Sequence, residues 1–270
     1  MDAMTRRLAE FFERFPRAAL VEITEVKGST PRESGAWMLV SPVATLGTIG
    51  GGQLEFLAID KARELIARNV AHGTMTIPLG PEIGQCCGGR VALDIRIVGD
   101  REREALADRI KTEVEKRPRV YLFGAGHVGK ALAAALSALP FRVILVDTRE
   151  DMLAGIAPGV ETILTAMPEA IVRDAPPASA FAILTHDHAL DFLIAAEALR
   201  RKDAAYVGMI GSETKKATFR GWFTRQGGSE AEFAQLVSPI GGEDIRDKRP
   251  EVIAALTAAE ITRALLSGRE

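Results

Sequence analysis

With 270 residues the chain is long enough for two ordinary domains, and its 47% hydrophobic and 26% charged residues are those of a globular protein. A net charge of −2, basic residues matched by acids along the chain and only 6% aromatics give nucleic acid no foothold. No stretch approaches the roughly 18–20 apolar residues of a membrane span, and Met1 to Arg7 leads into an amphipathic segment and not a signal peptide, so a cytoplasmic protein without membrane or nucleic-acid partners is expected.

In chain order, Leu8, Phe11, Phe12 and Phe15 recur at helical spacing and predict a first helix. Strands follow at Ala18 to Val26 and Ala36 to Val40, on either side of the turn-rich loop Gly28-Ser29-Thr30-Pro31-Arg32-Glu33-Ser34-Gly35. Gly50-Gly51-Gly52 then precedes a helix from Gln53 to about Asn69, striped by Leu54, Leu57, Ala58, Leu65 and Ile66. Strands at Thr74 to Leu79 and Arg90 to Val98 flank a loop, residues 80–89. This first segment, residues 1–99, reads as a smaller α+β domain. Residues 100–118, dense in both signs of charge, read as a solvated connecting helix ended by Pro118.

Residues 119–270 alternate strand and helix. Strands are expected at Arg119–Phe123, Phe141–Val146, Val160–Leu164, Ala180–Leu184 and Tyr206–Ile210, with a closing helix from Arg249 to about Leu266. The class is α/β, a Rossmann-like parallel sheet with helices on both faces. After the first of these strands comes Gly124-Ala125-Gly126-His127-Val128-Gly129, the strand, G-x-G-x-x-G, helix order of a dinucleotide-binding fold. The first glycine serves the turn, the second the approach of a phosphate, and the third close helix packing. The second strand ends in Asp147, an acid placed to hold a ribose hydroxyl.

Three further loops carry candidate chemistry. Residues 80–89 hold adjacent cysteines, Cys86 and Cys87, after Gln85; they are too few for a structural zinc site and poorly placed to bridge each other, so they act as thiols or simply pack. Thr185-His186-Asp187-His188-Ala189-Leu190-Asp191 follows a strand on the rim where open sheets bind ligands; His186-Asp187-His188 hints at a metal or at acid/base work, although two histidines without a third ligand do not make a metal site, and Asp187 suits a helix cap. Gly208 to Lys216 repeats strand, glycine, helix, with Gly211 and Ser212 at a second possible anion site or an ordinary cap. Arg32 is a further polar group. No nucleophile–base pair, phosphate-binding G-x-x-x-x-G-K-[ST] or His-Glu-x-x-His zinc motif is present.

Taken together, Gly28-Ser29-Thr30-Pro31-Arg32, Gly50-Gly51-Gly52-Gln53-Leu54-Glu55, Gly84-Gln85-Cys86-Cys87-Gly88-Gly89, the Gly124–Gly129 fingerprint, Thr185–Asp191 and Tyr206–Ser212 resemble the XdhC/CoxI family, accessory proteins of xanthine dehydrogenase and related molybdenum hydroxylases. The resemblance covers nearly the whole chain. It implies a dimeric two-domain protein that binds the molybdenum cofactor (molybdopterin), holds it while a cysteine desulfurase supports its sulfuration, and delivers it to the apo-hydroxylase, without turnover of its own. The cofactor-binding residues it implies are Gln85, Cys86, Cys87, Gly124, Gly126, His127, Gly129, Asp147, His186, Gly211 and Ser212, with Cys86 and Cys87 reaching the cofactor's molybdenum. The fingerprint then reads as one wall of a cleft that cradles phosphate, with the thiols facing it. Pro239 to Asp247 departs from the family pattern in its extra charges. Two alternatives stand: an NAD(P)-dependent oxidoreductase using the fingerprint and Asp147, and a docking protein whose Rossmann domain is empty.

Overall fold

The computed structural model describes residues 3–80, 88–242 and 244–267. The chain divides into two compact units, Met1–Thr112 and Glu113–Glu270.

The first unit is built on a five-stranded antiparallel sheet. Its strands are β1 (Ala19–Lys27), β2 (Trp37–Val40), β3 (Thr45–Gly47), β4 (His72–Leu79) and β5 (Gly89–Ile97), in the order β3-β2-β1-β5-β4. Alternation along β1 sends Ala19, Val21 and Ile23 into a core shared with Leu54, Ala58, Ala62, Leu65 and Ile66 of α2 (Gly52–Arg68). The stripe expected of that helix is the face it buries, and it ends at Asn69, which takes the left-handed conformation of a C-cap. The helix α1 (Ala3–Arg14) buries Leu8 and Phe11.

The charged segment forms α3 (Asp100–Glu115) and is more than a solvated connector. It buries Leu106 and Ile110, and its Arg109 donates to the Glu22 carboxylate at 2.6 Å and to the Gly35 carbonyl. Arg96 donates to the same carboxylate at 2.8 Å, so Glu22 joins β1, β5 and α3. Arg103 of α3 lies over the Phe12 ring of α1, 4.7 Å from its centroid.

The second unit is a six-stranded parallel sheet: β6 (Arg119–Phe123), β7 (Arg142–Asp147), β8 (Glu161–Leu164), β9 (Ala180–Ile183), β10 (Tyr206–Met209) and β11 (Leu236–Val237), in the order β11-β10-β9-β6-β7-β8. Counted within the unit this is 3-2-1-4-5-6, the doubly wound order, with its switch point between β6 and β9. The expected fold class is therefore the observed one. Only β3 and β11 were not anticipated, at three and two residues too short to show a period.

Both faces of the parallel sheet are covered, which is why its strands read as continuous apolar runs. Tyr121, Phe123 and Phe181 turn to one side, with Phe219 and Phe223 of α7 (Glu213–Arg225) and the apolar residues of α6 (His188–Arg200). Val120, Leu122 and Ala182 turn to the other, against α4 (His127–Ser137) and α9 (Pro250–Leu266). Tyr206 donates its hydroxyl to Glu260 of α9 at 2.8 Å, and burial followed by the Glu260 charge holds its phenol far above the ordinary range. Among the described residues no helix is long and apolar enough to cross a membrane.

Each unit carries one tryptophan, Trp37 and Trp222, so unfolding of each can be followed alone. In a Trp222→Phe background, Leu106→Ala is expected to lower the stability of the first unit by about 2–4 kcal/mol, the cost of emptying a buried leucine site. Urea titration of Trp37 fluorescence measures this; a loss under about 0.5 kcal/mol would make α3 a mere tether.

Candidate functional site

In the second unit the glycine fingerprint sits where β6 ends and α4 begins. A Cβ on Gly129 would lie 1.9 Å from the Gly124 carbonyl oxygen, and one on Gly124 would lie 2.5 Å from that of Leu184. These two glycines are therefore demanded by close approach within the protein, of helix to loop and of loop to the end of β9. Gly126 is different: a Cβ there would meet nothing within 4 Å. It is the N-cap of α4, no side chain caps that helix, and the N–H groups of the first turn have no intrahelical acceptor. His127, the first residue of α4, is exposed. The close packing expected of Gly129 is therefore what the structure has, and Gly126 leaves the helix start open.

Asp147 closes β7 beside this loop, with its side chain 3% exposed. It accepts hydrogen bonds from the Ala125 N–H at 2.7 Å, and from the Arg149 N–H and side chain at 3.0–3.2 Å. Both carboxylate oxygens are thereby engaged inside the chain. Burial alone would raise its pKa, but the Arg149 guanidinium and the two backbone N–H groups outweigh it and hold the carboxyl below its ordinary value. Asp147 fixes the glycine turn through Ala125; reaching a ribose hydroxyl requires displacing these donors. Arg149 is the group the sequence did not single out, although a cation two residues beyond a buried acid is a readable pair.

Gly124, Asp147, Thr185 and His186 line one small crevice at the switch point. His186 and His188 are exposed, and Asp187 caps α6 by accepting from the Ala189 and Leu190 N–H groups at 2.8 and 3.3 Å. The capping role expected of Asp187 is what the structure has. No group of three or more His, Cys, Asp or Glu suited to a metal exists among the described residues. Gly211 and Ser212 stand elsewhere, at the edge of a separate and larger cleft, and Ser212 caps α7 by accepting from the Lys215 N–H at 3.3 Å.

A buried ion pair joins these two places. Asp191, fully buried in the first turn of α6, accepts from Lys215 of α7. Asp191 also accepts from Thr185, from its N–H at 3.1 Å and its hydroxyl at 2.6 Å, while Lys215 donates to the Ile210 carbonyl at 2.9 Å. The crevice loop and the cleft turn therefore hang on one pair of charges. The signal for it was an acid flanked by Leu190, Phe192, Leu193 and Ile194, a place where a carboxylate is kept only with a partner.

In the first unit the loops described by their glycines converge. Ser29 bridges to Gly88, and a Cβ on Gly89 would lie 2.1 Å from the Ser29 carbonyl oxygen. Gly50 packs on Pro31, where a Cβ would come within 2.6 Å of its ring. The Gly50–Gly52 turn, which looks ready for an external anion, already holds one: Glu55 accepts from the Ile49 N–H at 2.9 Å and from the Thr48 hydroxyl. Burial alone would raise the Glu55 pKa, but Thr48 and the N–H groups of Ile49, Gly51 and Gly50 bring it below its ordinary value. Gln85, Cys86 and Cys87 lie outside the described residues; the base of their loop is closed by the Gly88 N–H donating to Leu79 at 2.8 Å.

This architecture, an antiparallel α+β unit followed by a Rossmann unit, is matched by known families in both parts. The XdhC Rossmann domain matches residues 120–261, and the XdhC and CoxI family matches residues 14–77. The chain belongs to the XdhC family. It is 29% identical over 255 residues to Uncharacterized protein YqeB of Escherichia coli K12, an alignment taking in 90% of this chain but 42% of that protein. A crystal structure of a Bacillus halodurans protein described as a xanthine dehydrogenase superposes with a TM-score of 0.79 at 20% identity, covering 100% of this chain and 97% of that one, which shows a shared fold.

Lys215→Met leaves Asp191 buried and unpaired and is expected to cost about 3–5 kcal/mol, whereas Asp191→Asn with Lys215→Met costs less than Lys215→Met alone. Urea midpoints read from Trp222 decide; additivity within about 0.5 kcal/mol would mean the pair is not coupled. The Asp147 pKa is lower folded than unfolded, so its stabilisation is complete above about pH 4 and is lost as pH falls through the folded value. Asp147→Asn is therefore expected to flatten the acid limb of the second unit's stability curve and Arg149→Gln to reduce it in part, measured over roughly pH 2–5.

Proposed function

We propose that this chain is an accessory factor that binds the molybdenum cofactor, supports its sulfuration and delivers it to an apo-xanthine dehydrogenase or a related molybdenum hydroxylase. Membership of the XdhC family supports a maturation role and interaction with xanthine dehydrogenase-type enzymes. The observation that carries the binding part is the first turn of α4: an uncapped helix start with open space at Gly126, free to accept a phosphate.

The molybdenum cofactor carries a phosphate on a pterin body with a sulfur-ligated metal, and the residues present fit it in kind. The N–H groups of His127 and Val128 suit the phosphate, and Asp147 keeps the loop in shape through Ala125. His127, and His186 on the switch-point rim, offer exposed imidazoles beside this loop and the crevice. At the Gly50–Gly52 turn the chain's own Glu55 already accepts from the Ile49 N–H, so that turn is put forward less than the start of α4. Cys86 and Cys87, beside Gln85 in the chain, are soft sulfur ligands that as thiolates would suit a sulfur-ligated metal. When bound, the cofactor brings the metal whose ligand is exchanged for sulfur; this chain's part is to hold and orient it. A cysteine desulfurase as sulfur source and a homodimer as working unit belong to the same proposal. The chain spans 42% of the length of the curated relative it matches, and its activity and partners are part of this proposal.

A Cys86→Ala, Cys87→Ala variant purified from cells making the cofactor is expected to stay folded and to lose bound molybdenum; metal analysis after gel filtration checks this, and unchanged stoichiometry would end the thiol role. The oxidoreductase reading is separated by titration with NAD and NADP: micromolar binding with turnover of a carbonyl substrate would favour it, against the engagement of Asp147 by Ala125 and Arg149.

A further inference from the structure

In the first unit, α2 buries Leu54, Ala58, Ala62, Leu65 and Ile66 and turns another face to solvent. Phe56, Asp60, Arg63 and Ala67 share that second face, because steps of three and four residues return to the same side of a helix. Phe56 is 63% exposed, a phenyl ring outside the core that the rest of the helix packs on. Asp60 and Ala67 are exposed as well, and Arg63 is half-buried. Arg63 donates its Nε–H to the Ser41 carbonyl at 3.4 Å, which ties this face to the turn between β2 and β3. That turn carries Val43, 75% exposed. Scattered apolar side chains at a surface are ordinary, but a ring this open beside unpaired charges reads as a contact surface.

The charges of α2 sort by face. Glu64 takes both Lys61 and Arg68, at 2.9 and 2.6 Å, along one flank. Asp60 and Arg63 make no ion pair among the described residues, although they stand three residues apart, a spacing at which opposite charges commonly meet. Along the helix the face therefore runs large apolar, acid, cation, small apolar. Reversed, it presents a cation to the acid and a small residue to the ring, so the face is its own complement. A two-fold contact asks for this: residue i meets j, and j meets i.

We propose, resting on the homodimer of the proposed function, that this face of α2 is the contact between two copies of the chain. The two helices pack antiparallel about an axis between Asp60 and Arg63. Each Asp60 then meets the second copy's Arg63, and each Phe56 lies over the second copy's Ala67. An aromatic anchor set against a small residue is the usual centre of such an interface. A foreign partner would have to supply this complementarity, whereas a second copy already carries it.

Sedimentation velocity of the full chain, over about 0.1–100 μM, tests this. The wild type is expected to dimerise within that range. Phe56→Asp should weaken dimerisation by about tenfold or more, through loss of the anchor. Asp60→Arg sets like charges together twice and should weaken it by about tenfold, and adding Arg63→Asp to Asp60→Arg should restore the dimer. That recovery separates a lost contact from a damaged fold. A wild type monomeric throughout would overturn the surface and the homodimer together. Dimerisation unchanged by Phe56→Asp and Asp60→Arg, or a double variant no tighter than Asp60→Arg, would overturn the surface and leave the homodimer standing.

Discussion

The loops that follow β9 and β10 in the second unit depend on one buried ion pair. Asp191 and Lys215 sit on different helices, yet through Thr185 and Ile210 they set the loops that follow β9 and β10. A charge pair in an apolar interior adds little net stability over apolar residues of the same shape, but breaking it is costly because the survivor cannot be hydrated. The pair therefore specifies geometry: neither loop can shift without stranding a charge. The crevice beside His186 and the cleft beside Gly211 inherit their positions from it.

The same principle, an ionised group satisfied by backbone N–H donors, recurs at two other loops and decides which glycine turns are open. Glu55 fills the turn at Gly50–Gly52, and Asp147 pins the fingerprint through Ala125. In the first case the chain's own acid takes the place an outside anion would need. In the second the acid sits behind the loop, leaving the helix start at Gly126 uncapped. Both helix starts lack a side-chain cap, and they differ in that an acid of the first turn reaches back into the loop before α2 whereas the acid beside α4 sits behind its loop.

The elements were legible in the sequence wherever local rules act. Four apolar residues before Gly124, alternation in β1 and the stripe of α2 follow from periodicity, and Gly129 follows from its close approach to Gly124 five residues earlier, whereas Gly124 itself is demanded by the distant Leu184 carbonyl. Short strands were not legible: β11 exists because Val207 and Gly208 offer it a ladder, not through any preference of Leu236 and Val237. The role of α3 was hidden as well, since Arg109 looks like any charge on a polar helix until Glu22, 87 residues away, is beside it.

What the sequence by itself determined is the order of strands and helices, the Rossmann character of the second unit and the places of its glycine-rich loops. Periodicity and helix caps are encoded within a few residues. Only the tertiary structure decided which acids are free and which are occupied. Asp147 is engaged by Arg149, Glu55 by its own turn, and Asp191 by a lysine 24 residues on, whereas Arg246 and Lys248 are left to face a cleft. Electrostatic partnership is settled by distance in space, and no local pattern of residues carries that distance.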